Sequence, residues 1–239
     1  MRVLRVVLVC ALLLRSSVAF GQNVEKPKEE AAAEKPAAVK TGFNLKAALG
    51  QATLFLIFQQ GERVWMQQWV RQELVHGPFL GDWKASVKSI KTFSDGDGFL
   101  QNGLGHSIMG GVVASIFDNN FNPIANIEFG WNWEYAKAKL LAMGFVAGYS
   151  IAFEIGPASE ASIGNLGLHH GRNGYIDDVV TPLSGVAWSV MEDAVRHYYL
   201  QPLSERRPKL ANALTLALNP AHSLANAMAI RYPWRFPPR

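Results

Sequence analysis

The stretch that decides the fold is residues 139–165, KLLAMGFVAGYSIAFEIGPASEASIGN. Between Lys139 and Glu154 it carries no charge, and its apolar residues recur with helical rather than alternating spacing. The Gly-Pro pair at 156–157 ends such a helix, because proline lacks the backbone N–H that the helix interior needs. We therefore predict a long apolar helix that begins near Trp131 and ends at the Gly-Pro pair.

This helix carries a ridge of small residues at four-residue spacing, which predicts close packing against another helix. The ridge consists of Gly144, Gly148 and Ala152. Glu154 follows the ridge by two residues, so we expect it inside a packed helix end with a polar partner, His106 being the first candidate. Glu160 lies beyond the proline, where a carboxylate supports the start of a short helical turn.

The rest of the chain is also mostly helical in pattern. We predict helices over 43–74, 83–92, 99–117, 131–155, 181–199 and 210–230, the last broken at Asn219-Pro220. Residues 126–135 alternate apolar and polar side chains, which taken alone indicates a strand. A membrane barrel would need at least about eight such segments. The predicted fold class is therefore all-α, a bundle of five or six helices.

The N-terminal residues are expected to lie outside this bundle. Residues 1–22 have two arginines near the start, Arg2 and Arg5, then a short apolar core and small residues at the end, as in a secretory signal peptide. Residues 23–42 are rich in Lys, Glu, Ala and Pro, which predicts a disordered linker. The helical domain is then 43–239. Its predicted place is the periplasm or cell envelope, and it contains no cysteine, because Cys10 lies in the signal.

Charge is distributed unevenly along the chain. Residues 43–202 hold ten Lys or Arg against fourteen Asp or Glu, while 203–239 hold six against one. The basic, aromatic end at 231–236 suits an anionic lipid surface. A chain with a net charge of about +1 after the signal is removed lacks the phosphate-neutralising surface that nucleic acid requires. The predicted partner is a membrane lipid surface and not nucleic acid; protein partners are not indicated.

The uncharged runs have about 14 to 21 residues, close to the length of about 20 that a membrane-spanning helix needs. We predict peripheral or partly embedded membrane attachment. The alternative is a soluble bundle in which these runs are buried core helices.

His106 is the first candidate for chemistry, because it lies four residues after Asn102 in an uncharged helix. A buried histidine needs a hydrogen-bond partner or remains neutral. It can therefore serve as a structural hydrogen-bonding group, as a metal ligand or as a general base. Asp97, with Asp95, precedes this helix and can join either kind of network.

A second group of polar residues follows in 177–197. Asp177 and Asp178 precede a helix expected to start at Thr181-Pro182, where negative charge suits the helix dipole. Glu192 and Arg196 have the spacing of a surface salt bridge, and Asp193 and His197 the spacing of a metal-binding pair. His169 and His170 are loop histidines, which without a third ligand are weak metal candidates.

The candidate catalytic residues are therefore His106, Glu154, Asp178 and Glu192. The candidate network or binding residues are Asn102, Asp97, Glu160, Asp177, Asp193 and His197. A divalent metal is possible with these residue types, but the chain has a single Glu-x-x-His pair, Glu73 and His76, where helical di-metal sites use two, and it contains no His-Glu-x-x-His, no Gly-x-Ser-x-Gly and no phosphate loop. Whether the protein is an enzyme is left open by the sequence.

Four motifs together resemble a family of uncharacterised exported bacterial proteins that contain a domain of unknown function. They are DGDGFLQNGLGH at 95–106 with Gly110, FEIGPASEASIGN at 153–165, DDVVTPLSG at 177–185 with ED at 192–193, and LNPAHSLAN at 218–226 before PW at 233–234. The resemblance covers about residues 80–236 and implies that these polar segments belong together. It implies no activity. Ser107 stands where the family has proline, so the start of the helix near His106 is left open.

A looser similarity is to small membrane proteins of the VanZ-like kind, and it is an analogy only. Two hypotheses follow from the sequence. In the first, the chain is an exported, membrane-associated helical protein whose buried Asn/His/Glu/Asp network is structural or binding. In the second, it is a metal-assisted hydrolase or transferase of the envelope that acts on a lipid or glycan, with His106 and Glu154 or Asp178 activating water.

Overall fold

The computed structural model describes residues 42–94, 98–121, 127–164 and 174–235. All regular structure in these residues is helical, with only two isolated β-bridges. The α-helices are α1 (Leu45–Met66), α2 (Gln68–His76), α3 (Phe79–Ser89), α4 (His106–Asn120), α5 (Trp133–Ile155), α6 (Ile176–Val195), α7 (Gln201–Arg206), α8 (Pro208–Leu218) and α9 (Pro220–Met228). Short π-helical segments occupy Leu100–Gly105, Glu160–Gly164 and Arg196–Leu200. The all-helical prediction is confirmed for the described residues.

The predicted number of five or six helices is wrong. The stretch predicted as one helix over 43–74 is divided at Gln67, whose extended backbone separates α1 from α2. The segment after His197 divides further, because Pro202 and Pro208 each lie in the first turn of a new helix. The predicted break at Asn219-Pro220 is confirmed, since α8 ends at Leu218 and α9 begins at Pro220. The predicted signal peptide, and the predicted linker up to residue 41, lie outside the described residues.

Three long helices form the centre of the bundle. Gly110 of α4 contacts Gly185 of α6, and His106 contacts Thr181, one helical turn earlier in both helices. Helices α4 and α6 therefore run parallel. Lys139 bonds to Ser189, and Ser150 bonds to Asp177, so the residue number rises along α5 where it falls along α6. Helix α5 therefore runs antiparallel to α6. Lys139 also reaches Asp118 near the end of α4. The three helices therefore share two ends, one near His106 and one near Asp118.

The closest helix–helix approach lies between α4 and α6. A Cβ atom built on Gly110 would lie 2.8 Å from the Cα of Gly185, and one built on Gly185 would lie 3.0 Å from the backbone N of Gly111. Side chains do not fit there, so glycine at both positions lets the two backbones touch. Around this contact, α4 is buried along most of its length by apolar residues that include Val112, Val113 and Ile116.

The ridge of small residues on α5 does not make such a contact. Gly144 and Gly148 have open space where a Cβ would lie, and Ala152 is exposed. The prediction that this ridge packs against a helix is wrong for the described residues. The helix turns its β-branched and aromatic side chains, such as Val146 and Tyr149, to the core instead, because they bury more apolar area than glycine.

Helix α1 lies beside the C-terminal half of α5. The rings of Phe55 and Tyr149 stack with centroids 6.1 Å apart, and the Tyr149 hydroxyl donates to Gln59 Oε1. At the start of α1, the Asn44 N–H donates to the Asn120 carbonyl at the end of α4. Helix α1 therefore extends from the Asp118 end towards the His106 end.

Helix α6 begins earlier than predicted. It starts at Ile176, with Asp177 and Asp178 in its first turn, and Pro182 lies inside it. The expectation that Thr181 caps the helix and Pro182 opens it is wrong. The two aspartates start the helix because their charge favours the N-terminal end of the helix dipole. Helix α4 starts at His106 itself, after the π-helical segment.

One helical stretch among the described residues, Trp133–Gly164, is long and apolar enough to cross a membrane, and a third of its most apolar window is buried. Core helices of soluble proteins also meet this criterion of length and composition, so the helix alone does not place the chain in a membrane.

Candidate functional site

The buried charged residues of the bundle form two clusters. The first, called the His106 cluster, contains His106, Glu154, Asp177 and Asp178, with Glu160, Arg63, Ser150 and Thr181 around them. The second, called the Lys139 cluster, contains Lys139, Asp118, Asp193 and Tyr135. Twelve residues of α4 separate His106 from Asp118, a distance of about 18 Å at 1.5 Å per residue. The clusters therefore lie near the two ends of the same three helices.

In the first cluster, both ring nitrogens of His106 have partners on α6. Nε2 lies 3.2 Å from Asp177 Oδ2, and Nδ1 lies 2.9 Å from Thr181 Oγ1. With Nε2–H donating to the carboxylate, Nδ1 accepts the Thr181 hydroxyl proton. The order of hydroxyl, imidazole and carboxylate, from Thr181 through His106 to Asp177, resembles that of a catalytic triad, but Thr181 is 0% exposed. A substrate therefore has no access to its hydroxyl, and the arrangement joins α4 to α6.

Glu154 is the buried carboxyl group at the end of α5. It is 7% exposed, and its Oε1 has no hydrogen-bond partner among the described residues. Burial raises its pKa to about 9, and the nearby carboxylates of Glu160, Asp177 and Asp178 contribute, while Arg63 lowers it. At neutral pH the group is therefore protonated. His106, predicted as its partner, pairs with Asp177 instead.

The other carboxyl groups of this cluster have cations or hydroxyls beside them. Arg63 of α1 makes an ion pair with Glu160 in the π-helical turn. The Ser150 hydroxyl donates to the Asp177 carbonyl at 3.0 Å, so α5 is tied to the first turn of α6. Burial raises the pKa of Asp178, while a hydrogen bond with Ser150 lowers it. The cluster thus joins α1, α4, α5 and α6.

In the second cluster, Lys139 lies between two aspartates. Its Nζ is 2.7 Å from Asp118 Oδ2 and 2.7 Å from Asp193 Oδ2, and it donates to Ser189 Oγ at 2.8 Å. The Tyr135 hydroxyl donates to Asp193 Oδ2 at 2.8 Å. Burial lowers the pKa of Lys139, but the two carboxylates outweigh it and raise the pKa above its usual range. The lysine is therefore charged, and it has three polar partners.

A cavity of about 40 Å³ adjoins this second cluster. Its lining includes Asp118, Lys139, Asp193, Arg196 and His222. A cavity of this size holds a few water molecules, whereas ligand sites usually have several hundred cubic ångströms. Burial also raises the pKa of Asp118 and lowers that of His222 to about 4. The cluster therefore has the properties of an internal ion-pair network beside a small cavity.

Glu192 belongs to neither cluster. Its Oε1 accepts hydrogen bonds from Trp188 Nε1 at 2.7 Å and from the Ala221 N–H at 2.8 Å, and its Oε2 accepts from the His222 N–H at 2.9 Å. The last two donors are backbone N–H groups in the first turn of α9, where no carbonyl of the same helix accepts from them, so the carboxylate caps that helix. Burial raises the pKa of Glu192 to about 7, although these bonds lower it. The predicted surface salt bridge with Arg196 is replaced by this buried cap.

Of the other predicted residues, Asp193 is part of the Lys139 cluster, and His197 packs with the rings of Phe129 and Tyr198. The predicted pairing of Asp193 with His197 on one metal is not what these contacts show. Asp97, His169 and His170 lie outside the described residues, as does the side chain of Asn102. Among the residues that the structure does describe, no three or more His, Asp or Glu are grouped so that they could hold a metal ion.

The sequence predicted Asp193 of the second cluster but did not single out its partners Lys139, Asp118 and Tyr135, nor Arg63 of the first. Lys139 is the one charged residue between Ala138 and Phe153, and a charge at the edge of an apolar helix signals a buried ion pair. Its partner Asp118 directly follows the uncharged run of α4. Arg63 had no such signal, because its partner lies 97 residues away.

Comparison of the chain with protein-family models, with curated protein sequences and with solved structures found no match.

Proposed function

We propose that this chain is an exported, membrane-associated helical protein of the cell envelope, in which the His106 and Lys139 clusters hold the bundle together. The observation that carries the proposal is the polarity of α5. Its charged residues Lys139 and Glu154 point into the bundle, while its outward face from residue 140 onward has no charge. The exposed apolar residues there are Leu140, Leu141, Ile151 and Ile155, each between 39% and 55% exposed.

An uncharged outward face of this length supports contact with the apolar part of a lipid layer. Aromatic side chains at the start of the same helix support it further, since Trp131 is 97% exposed and Trp133 is 72% exposed. Tryptophan prefers the level of the lipid headgroups. The family resemblance, the export signal and the basic C-terminal residues form part of the same proposal.

Lipid binding is tested with the mature chain, residues 23–239, and vesicles of phosphatidylethanolamine and phosphatidylglycerol. We expect the chain to sediment with the vesicles and the double variant L140Q/I151Q to bind at least about tenfold more weakly, because two half-exposed apolar side chains become polar. The variant K137Q, which changes an exposed polar residue of the same helix, is the control. The attachment is refuted if the mature chain stays in the supernatant, or if the double variant binds as tightly as the control.

The structural role of the first cluster is tested by urea unfolding of H106A. We expect a loss of about 1–3 kcal/mol or more, because Asp177 and Thr181 lose a buried partner. The control is H76A, which removes an exposed histidine and is expected to change stability by less than about 0.5 kcal/mol.

The second candidate function is a hydrolase or transferase of the envelope that acts on a lipid or glycan, with or without a divalent metal. The observation in its favour is Glu154, a buried carboxyl group whose pKa of about 9 makes it a proton donor at neutral pH. Within the described ranges no ligand set for a metal accompanies it. This alternative predicts that H106A folds with near-normal stability and loses an activity, which is the opposite of the large loss of stability expected above, and that E154Q also loses the activity.

A further inference from the structure

Residues 196–218 form a helical hairpin that extends from the end of α6. The helical path of α6 continues through a short π-helical segment into α7, and the chain reverses at Arg207 into α8. Helix α8 packs back along this first arm, and the Asn219 side chain then donates to the Glu192 carbonyl of α6 at 2.9 Å. Each arm is about 16 Å long at 1.5 Å per residue. The base of the hairpin is therefore fixed to α6, and its tip at 206–209 lies farthest from that base.

The tip of the hairpin is basic and open to solvent. Arg206, Arg207 and Lys209 are exposed, and no residue of α7 is buried. Glu205 is the only acidic residue that follows Asp193 in the sequence, so little negative charge offsets these three cations. A net positive charge therefore lies at the outer end of the hairpin.

The arms of the hairpin have an uncharged outward face. On the first arm, Tyr198 and Tyr199 are each more than half exposed, and the exposed Pro202 follows them at helical spacing. On α8, the exposed residues that follow the tip are Leu210, Ala213, Ala217 and Leu218. Apolar side chains and tyrosines next to a group of cations are typical of helices that lie in the headgroup region of a membrane.

The base of the hairpin lies beside the exposed tryptophans at the start of α5. The Phe129 ring contacts the Tyr198 ring, with centroids 5.7 Å apart, and Trp131 follows Phe129 by two residues. Trp131 and Trp133 are the exposed residues for which the headgroup level was proposed above. The hairpin therefore extends the same aromatic surface, and it adds a group of cations to it.

We propose that the hairpin 196–218 binds the surface of an anionic phospholipid layer, with its tip on the lipid phosphates and its tyrosines among the headgroups. Each Lys or Arg near such a surface strengthens binding by about fivefold. An acidic protein segment would match the tip alone, whereas a lipid layer also covers the uncharged faces of both arms. The inference rests on the membrane attachment proposed above, and it adds the element that contacts the headgroups and the class of lipid that it selects.

Sedimentation of the mature chain with two kinds of vesicle tests this selection. The vesicles contain phosphatidylethanolamine with either anionic phosphatidylglycerol or neutral phosphatidylcholine. We expect R206Q/R207Q/K209Q to bind the anionic vesicles on the order of 100-fold more weakly than the wild type does, because three cations are lost. Binding to the neutral vesicles is expected to be unchanged. Salt at about 0.5 M is expected to remove the wild-type preference for anionic vesicles, because it screens exposed charges.

The matched control removes the same number of cations at the opposite end of the bundle. Its variant is K84Q/K88Q/K91Q, which changes three exposed lysines in and just after α3. Helix α3 lies at the end of α5 near Glu154, since Trp83 Nε1 donates to the Ile155 carbonyl at 3.1 Å. We expect this variant to weaken binding to anionic vesicles by less than about fivefold, the effect of one cation in contact with the surface.

Trypsin cleavage provides a second measurement that needs no variant. Trypsin cuts after lysine and arginine, and Arg206 at the tip and Lys91 near α3 are both exposed. With anionic vesicles present, we expect cleavage after Arg206 to slow in proportion to the bound fraction of the chain. Cleavage after Lys91 is expected to be unchanged. Slowing at both sites alike, or at neither site while the chain is bound, overturns the role of the hairpin.

The sedimentation results separate this inference from the proposed function. The inference is overturned if the hairpin variant binds anionic vesicles as tightly as the α3 control does, or if the wild type binds both kinds of vesicle equally. In both cases the chain still sediments with lipid, so the attachment itself remains supported. A wild-type chain that stays in the supernatant with both kinds of vesicle overturns the attachment and the inference together.

Discussion

At the scale of single residues, Lys139 shows how a buried charge is accommodated in this bundle. The ammonium group has two carboxylates and a hydroxyl as partners, from α4 and α6. Each carboxylate alone in that position would be a buried, uncompensated charge. The lysine therefore determines which faces of α4, α5 and α6 meet.

Replacing Lys139 with methionine tests whether its ion pairs hold α4, α5 and α6 together. We expect K139M to lose about 3–5 kcal/mol of unfolding free energy in urea, because Asp118 and Asp193 then lack a cation. The triple variant K139M/D118N/D193N is expected to recover part of the loss. The exposed neighbour variant K137M is the control. A K139M protein within about 1 kcal/mol of the control would show that the ion pairs do not hold the helices together.

At the scale of the helices, glycine has two opposite roles. Gly110 and Gly185 allow the backbones of α4 and α6 to touch, whereas Gly144 and Gly148 face open space on α5. In sequence the second pair has the more recognisable spacing. The contact is made by the first pair because α4 is the central helix and is covered on most sides.

The two pairs make a matched experiment. We expect G185A to lower the melting temperature, because its Cβ would overlap the α4 backbone, at a cost of about 1–3 kcal/mol. G148A is expected to raise the melting temperature slightly, since alanine is the better helix former by up to about 1 kcal/mol. If G148A destabilises the protein as much as G185A does, the outward face of α5 has a packing partner that this arrangement does not show.

At the scale of the whole molecule, buried carboxyl groups make stability depend on pH. The pKa of Glu154 is raised to about 9 and that of Glu192 to about 7. In the unfolded chain both groups titrate near 4.5. Above that pH the unfolded state binds fewer protons than the folded state, so the free energy of unfolding falls as pH rises towards the folded-state values.

We therefore expect wild-type stability in urea to be greatest near pH 5 and to decrease up to about pH 9. Glu154 alone contributes a decrease on the order of 5 kcal/mol over this range. E154Q keeps the shape of the protonated side chain and cannot ionise, so its stability is expected to fall much less, while E134Q follows the wild type. Parallel profiles for E154Q and wild type would mean that Glu154 is ionised in the folded protein at neutral pH.

Local features of this protein were predictable from sequence because their causes are local. The apolar spacing before Gly156-Pro157 was enough to predict α5 and its end. Glu154 was expected to be buried, and it is. The uncharged run around His106 likewise predicted a buried helix. The break at Gln67 was not predictable, because no proline or glycine marks it, whereas Pro202, Pro208 and Pro220 do mark the starts of α7, α8 and α9.

The sequence by itself determined that the chain is helical, and it identified the polar residues whose burial costs the most free energy. Only the tertiary structure decided their partners. Asp177 pairs with His106, and Arg63 pairs with Glu160. The pKa of Glu154 is raised to about 9 by its burial. The physical reason is that spacing along one helix places residues on a face, whereas an ion pair across helices depends on their relative register. That register is set here by the contact of Gly110 with Gly185, which no pattern within a single helix reveals.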